Sequence, residues 1–478
     1  MNRVIAYPVP SGAVKKEDFQ VRVREKDGIW KKIDTYMVKV DMHEVREASM
    51  AYFDFTGVAE CEITCLKMQP KQVMIRPLSI GISYSISNNK ILFSLTNPVN
   101  LSIEINGNRF HNLHLFAGNI ESKLFDLNAE NIIVMEGNLN EITNHQMEPV
   151  SKKLQEMGQG AVLYFGPGVH YMNEKFCNLP SNTRVYIDGG AVVMGSFIVI
   201  NGQYVTIEGR GVIYLGHVEK STYLRGVELD HAKHIMISGI TIINPAHYSI
   251  LMGSCHDVMV DNVKAFSCVG WSDGIDMMAC DNILIQNVFL RNSDDCIAIY
   301  GMRGKFEGDT HNIQVSNSVL WADVAHPVNI GTHGDSENNG NIISKLLFNN
   351  IDILEHHEPQ DDYLGCMTIN AGDKNIVRDV TFQNIRVEQF ERGKLLDLQV
   401  KHNPKYNPAP GQKIEDITFS NITYNGYGEH TSCINGFDPT RLVENVHFKK
   451  LMINGEYIKT AEQGNIEIGE FTGNIKFS

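Results

Sequence analysis

Residues 282–287 read NILIQN. The same form (polar, apolar, any, apolar, any, asparagine) returns as HIMISG (234–239), DVMVDN (257–262), NIQVSN (312–317), KLLFNN (345–350), DVTFQN (379–384), DITFSN (416–421) and NVHFKK (445–450). The closing positions are Gly239, Asn262, Asn287, Asn317, Asn350, Asn384, Asn421 and Lys450. They stand about 23 to 37 residues apart, so constant cores are joined by insertions of varying length, which is the signature of a solenoid. Ile283 and Ile285 alternate with polar neighbours, the period of a strand with one buried face. Turns rich in Gly, Asn and Asp separate the units, and no helical period lies between them, which excludes a doubly wound α/β fold. The expected architecture is all-β, a right-handed parallel β-helix in which each coil adds strands to continuing parallel sheets. The recurrent Asn belongs at a coil corner, because its side chain tolerates left-handed backbone and bonds the local main chain. It is read as a turn residue, not a substrate ligand.

NIIVMEG (131–137), RVYIDGGAVVMG (184–195) and YVTIEGRGVIYLG (204–216) read as earlier coils. Before them, YSISNNKILFSL (84–95), LSIEINGNRF (101–110) and NLHLFAG (112–118) suggest antiparallel strands with turns at SNN and NGN. The expected division is a small N-terminal β-sandwich over residues 1–125 and a β-helix catalytic domain over 126–478. Within 138–160, SKKLQEMGQ suggests one helix that covers the open end of the solenoid, where bare strand edges invite aggregation.

A chain of 478 residues has room for one large domain or two. Its net charge of −14, with no basic run, speaks against nucleic acid and anionic membranes as partners. No stretch approaches 18 uninterrupted apolar residues, so no membrane span is expected. MNRVIAYPVPSG, at the start, has neither the apolar core nor the cleavage site of a secretory leader, so the expected location is cytoplasmic. Nine cysteines, scattered without a C-x-x-C pair, read as free thiols, with no structural zinc.

Two loops hold the candidate chemistry. WSDGID (271–276) and RNSDDC (291–296) bring Asp273, Asp276, Asp294 and Asp295 together one coil apart. Equivalent points on successive coils stack about 4.8 Å apart, which makes Asp273 a neighbour of Asp294 and Asp295. Carboxylates so close repel one another, and at least one should hold its proton unusually tightly. Glycoside hydrolysis needs that pairing: one protonated acid for the leaving oxygen, and one carboxylate to activate water or attack carbon. Asp276 is either a turn residue or a sugar ligand, and Asp257 and Asp281 are read as strand starts. Calcium is the main rival use for such acids. AHPVNIGTHG (325–334) lies on the following coil, where His326 can reach the Asp pair and hold one carboxylate charged.

Together these residues resemble the polygalacturonase family of glycosidases, glycoside hydrolase family 28, and the related dextranase and isopullulanase family, family 49. The family pattern runs N-T-D, D-D, G-H-G, R-x-K. Here Trp271-Ser272-Asp273, Asp294-Asp295 and Ala325-His326-Pro327 stand in the first three places, and NPAHYSI (244–250), with His247, is similar to the segment one coil earlier. The resemblance implies hydrolysis by a single inverting displacement without metal or cofactor. It implies Asp294 as general acid, Asp273 and Asp295 as holders of the water, and His326 as the group that tunes them. In the R-x-K place the chain reads LGCMTINAG (364–372), with Met367 and Ile369 where the cations stand. That departure implies a neutral or partly neutral oligosaccharide or polysaccharide as partner, unless Lys374 or Arg378 substitutes.

The long loop YGMRGKFEGDTH (300–311) should wall off one end of the groove, favouring exo-action or short substrates. Trp271, Tyr300, Trp321 and His333 are placed to offer flat faces or hydrogen bonds to a sugar, and HHEPQDDY (356–363) lies on the same side. Rival readings are a hydrolase of pectin fragments, a calcium-dependent polysaccharide lyase and a carbohydrate-binding β-helix without turnover. The oligomeric state is not legible.

Overall fold

The computed structural model describes residues 2–122 and 125–478. From Ile132 onward, the strands form a right-handed parallel β-helix, each coil paired in parallel register with the next. The six-residue units sit directly above one another: Ile235, Val258, Ile283, Ile313, Leu346, Val380, Ile417 and Val446 form one continuous column. Two residues on, the column changes from Val and Ile to phenylalanine. Phe348, Phe382, Phe419, Phe448 and Phe477 stack with ring centres 4.7 to 5.1 Å apart, which is the coil spacing itself. These side chains fill the interior of the solenoid.

The closing Asn of each unit adopts left-handed backbone, with φ between 52° and 57° from Asn262 to Asn421. Their amides reach one coil back. Asn350 donates to Asn317 and Asn421 to Asn384, both at 2.8 Å, while Asn287 donates to Asp261 at 2.7 Å. A helix at Met147–Met157 buries Met147 and Leu154 against the first coils. No described helix is long and apolar enough to cross a membrane.

The N-terminal strands form two sheets packed around their own apolar core. The turns at SNN and NGN are present, with Asn88, Asn106 and Gly107 at positive φ. One pairing departs from the antiparallel expectation: Arg46–Thr56 runs parallel to Asn108–Asn119 in the centre of its sheet. That sheet lies against the outer face of the β-helix. Tyr36, Val38, Met50, Tyr52 and Phe116 pack on a column of outward-facing solenoid residues that includes Phe266, Phe289 and Trp321. The contact is locked by buried charge. Arg291 is bidentate to Asp323 at 2.9 Å and also donates to Asn112 and His114 of the N-terminal sheet. Trp321 is fully buried here, with the Arg291 guanidinium over its ring and its indole N–H on Asp323. The expectation that Trp321 binds sugar is thereby corrected, since its outward-facing strand position is covered by the N-terminal sheet. The turn between Tyr36–Val40 and Arg46–Thr56 carries Met42 and His43 to the rim of the cavity described next.

Candidate active site

Asp273 stands two residues before the first residue of the strand Ile275–Met278, and Asp294 and Asp295 follow Phe289–Ser293. Gly274 lets the two loops close. A Cβ there would stand 2.3 Å from the Cys296 carbonyl oxygen. One carboxylate oxygen from each of Asp273, Asp294 and Asp295 lies within 4.8 Å of the other two. All three line a cavity of about 660 Å³, together with Trp271, Tyr300, Arg303, His333, Glu358 and Tyr363.

The three acids have different surroundings, and those differences separate their roles. Asp295 is held by three donors: the His326 ring Nδ1 at 2.6 Å, the His326 backbone N–H at 3.1 Å and the Asn329 amide at 2.7 Å. Asp294 is the most accessible of the trio and accepts only main-chain N–H groups, from Trp271 at 2.8 Å and Asp295 at 3.2 Å. Burial and the neighbouring Asp295 charge raise its pKa to about 7, so it is protonated in mildly acidic solution. Asp273 is buried, and burial followed by the Asp276 and Asp294 charges holds its pKa well above the carboxylate range.

His326 is fully buried, and both ring nitrogens face acceptors: Asp295 from Nδ1 and the Tyr363 carbonyl from Nε2, at 2.6 and 2.5 Å. A neutral imidazole has one donor, so only the imidazolium satisfies both. Burial opposes the charge, but Asp295 outweighs it, and the pKa rises to about 8. His356 stacks beside it in the opposite state. It donates to the Ala325 carbonyl, accepts from the Gly365 N–H, and is pushed down to about 3 by burial and the His326 charge.

Other expected site residues lie farther back. Asp276 is on a strand, not in a turn, and is wholly buried beside Asp273. His247 sits behind Tyr248 and Trp271, ring centres 4.0 and 6.4 Å away, and its pKa is driven down to about 3 by burial and the Arg225 charge. Neither lines the cavity. Lys374 is turned away, its ammonium donating to the carbonyls of Glu337 and Asn338. Tyr300 and His333 do line it, their rings edge-to-face 4.9 Å apart. Met367 and Ile369 point into the solenoid core. The alternation of the strand Met367–Ala371 instead turns Thr368 and Asn370 outward, one coil beyond Asn329, and neither carries charge.

The 301–309 loop holds the residue that sequence reasoning passed over. Phe306 seats its ring directly on Gly253, where a Cβ would lie 2.3 Å from it, and joins Tyr248, Leu251, Met278, Ala298 and Tyr300 in an apolar cluster. Lys305 pairs with Asp230. Anchored at both points, the loop directs Arg303 into the cavity, where it donates to the Tyr248 hydroxyl at 2.5 Å and adds positive charge beside Asp273 and Asp276. The sequence signal was a lone Arg in an insertion, and nothing in the repeat fixed its direction. Tyr363 and Tyr406, stacked at 4.7 Å and also lining the cavity, likewise had no repeat signal.

The sequence profile described as Glycosyl hydrolases family 28 matches residues 186–470, well over half the chain. The chain belongs to glycosyl hydrolases family 28. A probable endopolygalacturonase D of Neosartorya fischeri is 26% identical over 201 residues, 41% of this chain and 36% of that protein. A probable exopolygalacturonase A of Aspergillus niger is 23% identical over 227 residues, 44% and 46% of the two chains. This chain thus spans about a third to a half of the length of these relatives. Among solved structures, Dex49A from Penicillium minioluteum superposes with a TM-score of 0.63 at 15% identity, covering 97% of this chain and 96% of that one. An exopolygalacturonase from Thermotoga maritima gives 0.57 at 12% identity over 70% and 92%. At such identities the likeness is one of fold.

Proposed function

We propose that this family 28 protein hydrolyses a glycosidic bond at the end of an oligosaccharide, with Asp294 as the acid that protonates the leaving oxygen. The observation that carries the reading is the contrast between two adjacent carboxyls: Asp294 is accessible and protonated up to about pH 7, while Asp295 accepts from the His326 imidazolium and the Asn329 amide. Glycoside hydrolysis asks for that division. Asp273 and Asp295 flank Asp294 and hold the attacking water between them. One water proton passes to this pair, the hydroxide oxygen bonds the anomeric carbon, the exocyclic C–O bond breaks, and the leaving oxygen takes the Asp294 proton. Single displacement inverts the anomeric carbon. Double displacement through a glycosyl–enzyme is the second reading, favoured by carboxylate oxygens within 4.8 Å, since retaining pairs stand about 5–5.5 Å apart and inverting pairs about 6.5–9.5 Å. Proton NMR of the first-formed anomer decides between them.

Arg303 supports a uronate as the sugar in the cavity, because a guanidinium beside the reacting acids can pair with a substrate carboxylate. The relatives' polygalacturonase names agree with it. A neutral glucan, the dextranase-like alternative, is favoured by Met367 and Ile369, which turn into the solenoid core at the place where the family pattern has its cationic pair. Arg303 of the long loop and Glu358, Gln360 and Tyr363 all line the cavity, and loops crowding the reacting acids favour exo-action.

The test is hydrolysis of a panel of galacturonides and neutral glucans by wild type and Asp294→Asn, with EDTA present. Loss of activity by roughly 10²- to 10⁴-fold in the variant is expected for a general acid. Full activity in Asp294→Asn refutes the assignment. Activity abolished by EDTA in wild type points instead to a cation held by Asp273, Asp294 and Asp295, which are close enough to ligate one.

A further inference from the structure

We infer that the edge strand Tyr84–Ser87 of the N-terminal domain is a dimer interface, where it pairs antiparallel with the same strand of a second copy of this chain. The sequence around it reads PLSIGISYSISNN (77–89), thirteen residues without a charge in a chain of net charge −14. From Leu78 to Ser87 large apolar residues alternate with Ser or Gly. Four of the five large ones nevertheless face solvent: Leu78 is 53% exposed, Ile80 41%, Tyr84 40% and Ile86 40%. Apolar residues exposed singly are ordinary on a surface. Four within nine residues make a patch. The charges that bracket the run are engaged elsewhere. Arg76 is buried against Glu104 and Glu388, and Lys90 pairs with Glu62.

The sheet to which the strand belongs shows what is missing. Its strands lie in the order Lys31–Ile33, Phe19–Glu25, Ala59–Cys65, Lys90–Leu95, Tyr84–Ser87, so the first and the last are its edges. An edge strand offers unpaired N–H and C=O groups, and proteins guard such edges with charge, above all Lys, or with proline or a bulge. The first edge carries Lys31 and Lys32, and the last strand of the β-helix, Thr472–Phe477, carries Lys476. Tyr84–Ser87 has neither charge nor proline, and its register runs without a shift from Tyr84 opposite Phe93 to Ser87 opposite Lys90. The strand is also held in place. Asn88 turns it into its neighbour with left-handed backbone, Ile82 packs on the sandwich core, and the Tyr84 hydroxyl donates to the Val73 carbonyl at 2.6 Å.

Whatever covers this edge must be extended, apolar on one face and uncharged, and the strand itself meets all three conditions. Two-fold pairing centred on Ser85 sets Tyr84 opposite the partner's Ile86, and Ile86 opposite the partner's Tyr84, an aromatic on a β-branched residue on one face. A large net charge keeps chains apart, so two copies approach where the charge is absent. Residues 77–89 do not line the catalytic cavity, which association through this edge therefore leaves open.

The experiment is sedimentation equilibrium of wild type, Ile86→Lys and Tyr427→Lys, with folding of each checked by circular dichroism. Both positions are exposed, and Tyr427, at 81%, is the control on the β-helix. Wild type is expected at twice the mass of one chain. Ile86→Lys restores a guarding charge and should raise the dissociation constant at least about tenfold, while Tyr427→Lys should leave it unchanged. A dimer that Ile86→Lys leaves intact overturns the inference, as does one that Tyr427→Lys weakens equally. Wild type that stays monomeric up to about 100 μM overturns it too, and leaves the edge to a strand of a different protein.

Discussion

Replacing His326 with Gln tests the electrostatics of the site most directly. The imidazolium donates from both ring nitrogens, and its pKa rises from 6.5 to about 8 because Asp295 stabilises the charge more than burial penalises it. A rise of that size corresponds to about 2 kcal/mol of folding stability. The folded-state value lies above the unfolded one. The contribution is therefore complete below pH 6.5 and is lost as the pH climbs through 8. Glutamine does not titrate, so the wild-type advantage over His326→Gln should shrink by about 2 kcal/mol between pH 6 and 9.

Activity responds in two ways. Asp295 loses a charge-assisted bond worth about 1.5–3 kcal/mol, so kcat/KM should fall roughly 10- to 150-fold. The His326 charge also lowers the Asp294 pKa, so its removal lets Asp294 keep its proton to higher pH. The alkaline limb of the pH–rate profile, set near 7 in wild type, should shift upward. Denaturant unfolding at pH 6 and 9, together with kcat/KM across that range, reads both effects. A limb that moves downward, or a stability difference that is flat with pH, would refute the charged-imidazolium account.

Arg303→Met should raise KM for uronate substrates at least tenfold while leaving KM for any neutral glucan nearly unchanged, as expected of a lost guanidinium–carboxylate pair. Steady-state kinetics on both classes decide this, and equal effects on the two would assign Arg303 to the acid cluster alone. Asp323→Asn strands the buried Arg291 charge at the domain contact and should cost about 3–5 kcal/mol, read by denaturant unfolding. A cost below about 1 kcal/mol would mean that the contact rests on its apolar residues. Phe382→Ala removes the second ring of the five-membered stack and should cost about 3–5 kcal/mol by the same measurement, with the catalytic pH profile unaltered.

The repeat was legible because a solenoid is periodic by construction. Each coil can bury its apolar face only against the next, so Ile283 must resemble Val258 and Ile313, and the chain carries that demand in plain order. The acid cluster was legible for the same reason. One repeat of separation in sequence is one coil spacing in space, which brought Asp273, Asp294 and Asp295 together before any coordinate was known. Pattern alone could not tell which outward-facing side chains meet solvent, substrate or another domain. Trp321 and Phe289 have the same outward register as site residues, but the N-terminal sheet covers them. Met367 and Ile369 were matched by position to a cationic pair, whereas strand alternation turned them inward and left Thr368 and Asn370 outside. Arg303 sits in an insertion outside the repeat, and its direction depends on Phe306 finding the bare backbone at Gly253, a contact between coils 53 residues apart in sequence. Local hydrogen bonding and side-chain period set the coils and the acids. The shape and charge of the cavity come from long-range packing that no local pattern records.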